Sequence, residues 1–179
     1  MNNWVALLRG VNVGGNNKVP MALFRAACTQ AGLGDVETYI ASGNLVFSTD
    51  VNAMHDAVSL TDLLQNILRT KFDVVARVLV LHEDELKAAL HACSWPDVEG
   101  KFVHAVFCFD PPDFDAVRYE TLKTTAETLR ASNRLAWMHA PDGVGRSVLF
   151  AKLEQVLCRT DFTARNLNTV RKLVEMLDG

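Results

Sequence analysis

From Trp4 to Val11, apolar residues fill both alternating sets of positions, broken by Arg9; this is the pattern of a strand buried on two faces. Asn12 to Lys18 is rich in Asn and Gly and reads as a loop. Pro20 follows where a helix favours its first residue. Met21, Phe24, Ala27, Cys28 and Ala31 then recur at helical spacing until Gly32 and Gly34 stop them. Val36, Thr38 and Ile40 alternate as in a strand, Ser42-Gly43-Asn44 turns, and Leu45 to Ser48 returns as the second arm of a hairpin. Leu60, Leu63, Leu64, Ile67 and Leu68 predict a helix over 56–72, and Ala76 to Leu81 a further strand. The order β-α-β-β-α-β is that of a ferredoxin-like unit.

The second half opens on a helix whose first turn, Glu83-Asp84-Glu85, suits the positive end of its dipole. Trp95-Pro96 closes a loop, and Phe102 to Phe109 reads as another strand apolar on both faces. Pro111-Pro112 breaks it, with Asp113 expected to cap a helix running toward Leu129. Leu135 to His139 is a strand ended by the turn Pro141-Asp142-Gly143. Ser147 to Leu157 and Ala164 to Leu177 complete the chain as helices. No linker, low-complexity tract or sequence repeat separates the halves. The expected class is α+β: a ferredoxin-like βαββαβ subdomain over 1–82 packed on a small α+β subdomain with C-terminal helices over 83–179, tightly enough to count as one domain.

Composition narrows the function classes. The chain has 179 residues, 49% hydrophobic and 22% charged, with a net charge of -3. It lacks an apolar run of the ~18–20 residues a membrane span needs, and its N-terminus has no basic signal region. Four cysteines without a CxxC fit reduced thiols, so a cytoplasmic protein with no membrane partner is expected. The charge is unevenly spread: residues 1–34 carry Arg9, Lys18 and Arg25 and no acid, 35–128 carry an excess of nine acids, and 129–179 are again basic by three. Basic ends brought together would give an acidic protein a local positive site. A pI near 5.9 argues against a general nucleic-acid coat.

Arg9-Gly10-Val11-Asn12-Val13-Gly14-Gly15-Asn16-Asn17-Lys18, set between strand and helix, has the context of a phosphate cradle, in which glycines turn backbone amides toward an anion. Gly10 and Gly15 have P-loop spacing, but Asn16-Asn17 stand where Lys-Ser/Thr belong, and Gly-x-Gly-x-x-Gly is absent. The loop is therefore an anion site of another kind or a tight turn needing glycine. Arg9, at the end of an apolar strand, meets either a ligand or an internal carboxylate. Ser42 lacks the Gly-x-Ser-x-Gly elbow of a nucleophile. It lines a site or completes a turn. Ser147, after Gly143-Val144-Gly145-Arg146, is expected to cap a helix. Leu167, Val170, Val174 and Leu177 make the buried stripe of the last helix, which places Arg165, Asn168, Thr169 and Lys172 on its opposite face. Asn166 either ties that helix's start or faces a site, so Arg165-Asn166 is a second anion-ready element. His104 and Cys108, four apart on one strand and roughly 13 Å along it, cannot share a metal ion. No metal and no cofactor are expected.

Leu8-Arg9-Gly10-Val11-Asn12-Val13-Gly14-Gly15, Val19-Pro20-Met21 and Thr38-Tyr39-Ile40-Ala41-Ser42-Gly43-Asn44 with Val46-Phe47 resemble the N-terminal signature of the bacterial domain of unknown function 1697 family. Gly145-Arg146-Ser147 and Thr163-Ala164-Arg165-Asn166 with Thr169 resemble its later segments. The resemblance implies an α+β fold with ferredoxin-like parts and brings no catalytic residue, since the family's activity is unassigned. It also implies Lys after the residue matching Ser147 and Trp after that matching Asn166, where this chain has Val148 and Leu167.

The leading expectation is a protein that binds a phosphate-bearing ligand, a nucleotide or a piece of nucleic acid. The candidate binding residues are Arg9, Asn12, Gly14, Gly15, Lys18, Ser42, Asn44, Ser147, Arg165, Asn166 and Thr169. Nucleic acid has the weaker support, because the aromatic RRM signature is missing. Two other readings stay open. One is a structural or protein-interaction module in which Arg9 and Asn166 bond internally; the other is an enzyme on an anionic substrate, with Ser42 or Tyr39 moving a proton.

Overall fold

The computed structural model describes residues 1–15, 17–53 and 55–179. Asn16, the first of the two asparagines at the P-loop Lys-Ser/Thr positions, lies outside the described residues. The first half runs β1 (Asn2–Leu8), α1 (Met21–Gln30), β2 (Gly34–Tyr39), β3 (Asn44–Thr49), α2 (Ala57–Phe72), β4 (Val78–His82) and α3 (Glu83–His91). The second half contains β5 (Val103–Cys108), α4 (Ala116–Leu122), β6 (Thr128–Ser132), β7 (Leu135–His139), α5 (Val148–Ala151), α6 (Leu153–Val156), β8 (Phe162–Asn166) and α7 (Leu167–Asp178). Two compact units result, Met1–Lys87 with Lys172–Gly179 and Ala88–Arg171, and the division falls inside α3 and α7.

In the first unit the sheet order is β2-β3-β1-β4 with every pair antiparallel, the ferredoxin-like order. β1 is apolar on both faces, as its central place between β3 and β4 requires. Trp4, Ala6 and Leu8 meet Phe24 and Cys28 of α1 and Leu60, Leu64 and Leu68 of α2, while Val5 and Leu7 are buried on the other face. α2 starts where Asp56 and Ser59 form a reciprocal capping box and ends at Asp73 in the left-handed region. The C-terminal segment is tied to this unit by Lys87, which pairs with Glu83 and Asp178, both at 2.9 Å.

The second unit repeats the plan. Its sheet order is β6-β7-β5-β8, again antiparallel throughout, so both units are ferredoxin-like and the fold is α+β. The equivalence reaches single hydrogen bonds. Leu8 N–H donates to Gly43 O and Arg9 N–H to Arg77 O; in the second unit Cys108 N–H donates to Arg134 O and Phe109 N–H to Asp161 O. No sequence repeat signals this, because the matched positions carry different residues.

Three expectations for the second half are corrected. The helix expected from Asp113 toward Leu129 is α4 alone, capped by Asp115. The chain turns extended at Lys123, and Thr128–Ser132 pairs with β7 as an edge strand that buries only Leu129. The segment Ser147–Leu157 is two short helices with a break at Lys152. The last helix starts at Leu167 rather than Ala164, because Phe162–Asn166 alternates sides along β5 as strand β8. Among the described residues no helix is long and apolar enough to cross a membrane.

Two outcomes follow from the cores. Leu64→Ala, at a fully buried position, will cost about 2–5 kcal/mol, whereas the exposed Val58→Ala will stay within about 0.5 kcal/mol, read from urea midpoints. On β5, His104 lies opposite Met138 and Asn166 with its ring 5.8 Å from Phe150, and its buried Nδ1 has no hydrogen-bond partner. Burial pushes its pKa down to about 4. The unfolded chain takes up this proton near pH 6.5 and the folded chain only near pH 4, so the unfolded state binds more protons between those values. Stability from this group is flat above about pH 6.5 and falls as the pH drops toward 4, by about 1–2 kcal/mol after discounting for the ring's partial exposure. His104→Leu will remove that part of the slope, and urea midpoints at several pH values in both proteins will show it; identical slopes would contradict the assignment.

Candidate functional site

The loop after β1 leaves the sheet at a fixed point. Leu8 N–H bonds the turn between β2 and β3, and Arg9 N–H bonds the segment before β4. Within the loop, Gly10, Asn12, Gly14, Gly15 and Asn17 all have positive φ, between +48° and +81°. Asn12 clamps it. Its Nδ2 donates to Val19 O at 2.9 Å and Ala41 O at 2.8 Å, its Oδ1 accepts from Val19 N–H at 2.8 Å, and its own N–H donates to Asn17 O at 3.1 Å. Asn17 Nδ2 closes the loop onto Gly10 O at 3.1 Å. A Cβ at Gly14 or Gly15 would meet nothing within 4 Å, so left-handed backbone and not crowding calls for glycine there. Gly14, Gly15, Asn17 and Lys18 are exposed, and Arg9 is half-buried.

The β2–β3 turn is joined to this loop through Ala41. Gly43 has φ +81°, and a Cβ there would come within 2.7 Å of Leu8 Cβ, so the close approach of turn to strand requires glycine. Asn44, fully buried, donates from Nδ2 to Tyr39 O at 3.0 Å and to Ser42 Oγ at 3.2 Å. The hydroxyl of Ser42 is thus engaged by an amide. Topology also sorts the charges of this unit. Arg9, Lys18 and Arg77 stand at the end of the sheet where β1 finishes. Asp50 follows Thr49, paired with Asn2, and Glu83, Asp84 and Glu85 follow His82, paired with Trp4, at the opposite end.

Behind the loop, α1 begins at Met21 with Pro20 as its cap residue, no side-chain cap bond and no acid in its first turn. The other helices of comparable length are provided for: Asp56 caps α2, Glu83, Asp84 and Glu85 open α3, and Asn166 Oδ1 accepts from Thr169 N–H at 2.9 Å to cap α7. At the position in the second unit that matches Pro20, the carboxylate of Asp115 accepts from Arg118 N–H at 2.8 Å and fills the start of α4.

Arg9, Asn12, Gly14, Gly15, Lys18, Ser42 and Asn44 are therefore gathered at one end of the first unit. The remaining candidates belong to the second. Arg165 is on strand β8 opposite Ala105, not on a helix, so it does not share a helix face with Asn168, Thr169 and Lys172. Its guanidinium is buried, donates from Nη1 to Thr163 Oγ1 at 2.7 Å and Ala164 O at 2.8 Å, and has its pKa pushed down to about 10 by burial, which still leaves it cationic at neutral pH. Ser147 caps α5 by accepting from Phe150 N–H at 2.9 Å, and Thr169 is buried beside the α7 cap. Two tryptophans add buried polar contacts. Trp4 Nε1 donates to Thr49 Oγ1 and Trp137 Nε1 to Ala89 O, both at 3.0 Å. Buried Asn and Trp side chains in both units, and Arg165 in the second, are thus hydrogen-bonded, a polar network compatible with a ligand-binding surface. Among the described residues no three His, Cys, Asp or Glu side chains gather as a metal site.

A conserved bacterial protein from Streptococcus pneumoniae has a similar structure, with a TM-score of 0.75 and 26% sequence identity over 98% of each chain. The chain matches none of the curated proteins. Residues 1–137 match the sequence pattern of a protein family of unknown function, and this stretch includes the whole Arg9–Lys18 loop and the Ser42–Asn44 turn. The chain belongs to that family, DUF1697.

Proposed function

We propose that the chain binds a phosphate-bearing ligand, a nucleotide or a piece of nucleic acid, at the Arg9–Lys18 loop of its first unit. One observation carries this reading. Among the described residues, α1 is the longer helix that starts without a side-chain cap bond or an acid in its first turn, behind a glycine loop that Asn12 fixes. An uncapped helix start offers amide donors and the positive end of a dipole, and an anion satisfies both. The second unit supports the reading by contrast, since Asp115 puts the protein's own carboxylate at the matching place.

In this reading the residues divide their tasks. Lys18 and Arg9 neutralise charge, while Gly14 and Gly15 let backbone amides approach the phosphate. Asn12 and Asn44 shape the site, because their amides already bond backbone. Ser147, Asn166 and Thr169 hold helix starts in the second unit, and Arg165 stays with the proposal as a buried cation of that unit. A purely architectural reading draws on the same occupied amides of Asn12, Asn44 and Asn166, and expects no response to any anion.

Thermal unfolding at low salt with inorganic phosphate, mononucleotides and short RNA separates the two. A ligand at about 100 times its Kd will stabilise by about 2.7 kcal/mol, a rise of roughly 5–10 °C for a chain of this size. Lys18→Ala will weaken that ligand about tenfold with little change in the unliganded Tm. Asn12→Ala will lower the unliganded Tm and remove the response. A flat panel would leave the architectural reading.

A further inference from the structure

A polar cleft opens in the first unit where the proposed phosphate loop begins. Arg9, the first residue of that loop, donates its N–H to Arg77 O at 2.9 Å, and Arg77 lines a cleft of about 500 Å³. Asp62, Gln65, Asn66 and Arg69 of α2 form one side of it. Val75, Ala76 and Arg77, in the stretch of chain just before β4, form the other. The helix side follows from spacing. Asp62, Asn66 and Arg69 are exposed neighbours at helical intervals of four and three, while Leu60, Leu64, Ile67 and Leu68 are buried in the core.

The polar groups of the cleft are set for donation. Gln65 Oε1 accepts from Val78 N–H at 3.3 Å, and Asn66 Oδ1 accepts from Arg69 Nη2 at 3.0 Å. Each amide has its oxygen engaged and adds N–H donors to the lining. Arg69, held by Asn66, and Arg77 bring two guanidiniums against the single carboxylate of Asp62. Two cations and two donating amides complement an anion with several acceptor oxygens. The fold itself does not ask for a base at Arg77. In the second unit the carbonyl that takes the matching bond, from Phe109 N–H at 2.9 Å, belongs to Asp161. An acid serves that backbone contact equally well.

We infer that this cleft receives the second phosphate of a nucleic-acid strand whose first phosphate lies on the Arg9–Lys18 loop. The assignment rests on the phosphate reading and selects a piece of nucleic acid over a mononucleotide. Arg9 links the two positions, first in the loop and bonded to Arg77. Arg69 and Arg77 hold the phosphate oxygens from the two sides of the cleft, and Gln65 and Asn66 donate to them. Val75, which is 85% exposed, and Ala76 give an apolar wall for the sugar. All these contacts are to the strand's backbone, so binding is indifferent to base sequence.

Calorimetric titration of the full chain at low salt with adenosine 5′-monophosphate and the 5′-phosphorylated dinucleotide pApA tests this. The dinucleotide, with one more phosphate, will bind roughly tenfold more tightly. Arg69→Ala and Arg77→Ala will each weaken the dinucleotide about tenfold and leave the mononucleotide unchanged. Asp62→Asn will tighten the dinucleotide alone. Lys71→Ala removes an exposed cation of α2 that does not line the cleft, and it will change neither affinity. If the two probes bind alike, or if Lys71→Ala costs the dinucleotide as much as Arg69→Ala, the cleft assignment is wrong and the phosphate reading stands. If neither probe binds, both fall.

Discussion

The side chain of Asn12 is the constraint on which the rest of the first unit's loop end depends. One amide reaches Val19, just before the cap residue of α1, and Ala41 in the β2–β3 turn, so three separate pieces of chain take fixed places around it. Each such bond contributes about 0.5–1.5 kcal/mol, enough together to offset the modest cost of an asparagine in the left-handed region. Without the clamp, a loop with so much glycine would sample many conformations, and any anion would have to order it on binding. With it, the chain around the exposed Gly14 and Gly15 and the approach to α1 are held in place in advance.

The same topology occurs twice, and the comparison of the two copies separates what the fold demands from what the first unit adds. The strand order and the pair of hydrogen bonds at the end of the central strand are shared. The residues at those points are opposite in character: Arg9 against Phe109, Gly43 against Arg134, Arg77 against Asp161, and uncapped Pro20 against Asp115. A ferredoxin-like unit therefore needs neither a basic strand end nor an open helix start. The Pro111-Pro112 loop of the second unit is as competent a connection as the glycine loop of the first. What the glycine loop supplies beyond connection is exposed backbone in the left-handed region beside the start of α1.

Most of the first unit was legible in sequence because its signals are local and mutually consistent. A doubly apolar strand, a capped α2 and a four-residue turn with glycine each point to the same order. The second unit was harder to read for two physical reasons. β6 is an edge strand that buries only Leu129, so its Thr, Arg and Ser carry no alternation that burial would enforce. In β8 the helical stripe of α7 follows without a break, and Arg165, a buried cation on a strand, looks like the polar face of a helix. At the candidate site, the clustering of Arg9, Gly14, Gly15 and Lys18 with Ser42 and Asn44 was readable as composition and spacing. The work of Asn12 was not, since its three bonds join residues up to 29 positions apart. Cap residues behaved as their types suggest: Ser147 and Asn166 both hold helix starts.

The most direct measurement is an amide proton–nitrogen NMR titration of the labelled chain with adenosine 5′-monophosphate at low salt. The account predicts that the amides of Gly14, Gly15, Lys18 and the first turn of α1 shift together with one saturating curve, while those of the matching Asp110–Arg118 stretch stay still. Shifts confined to other residues, or none at concentrations that saturate ordinary phosphate sites, would contradict it.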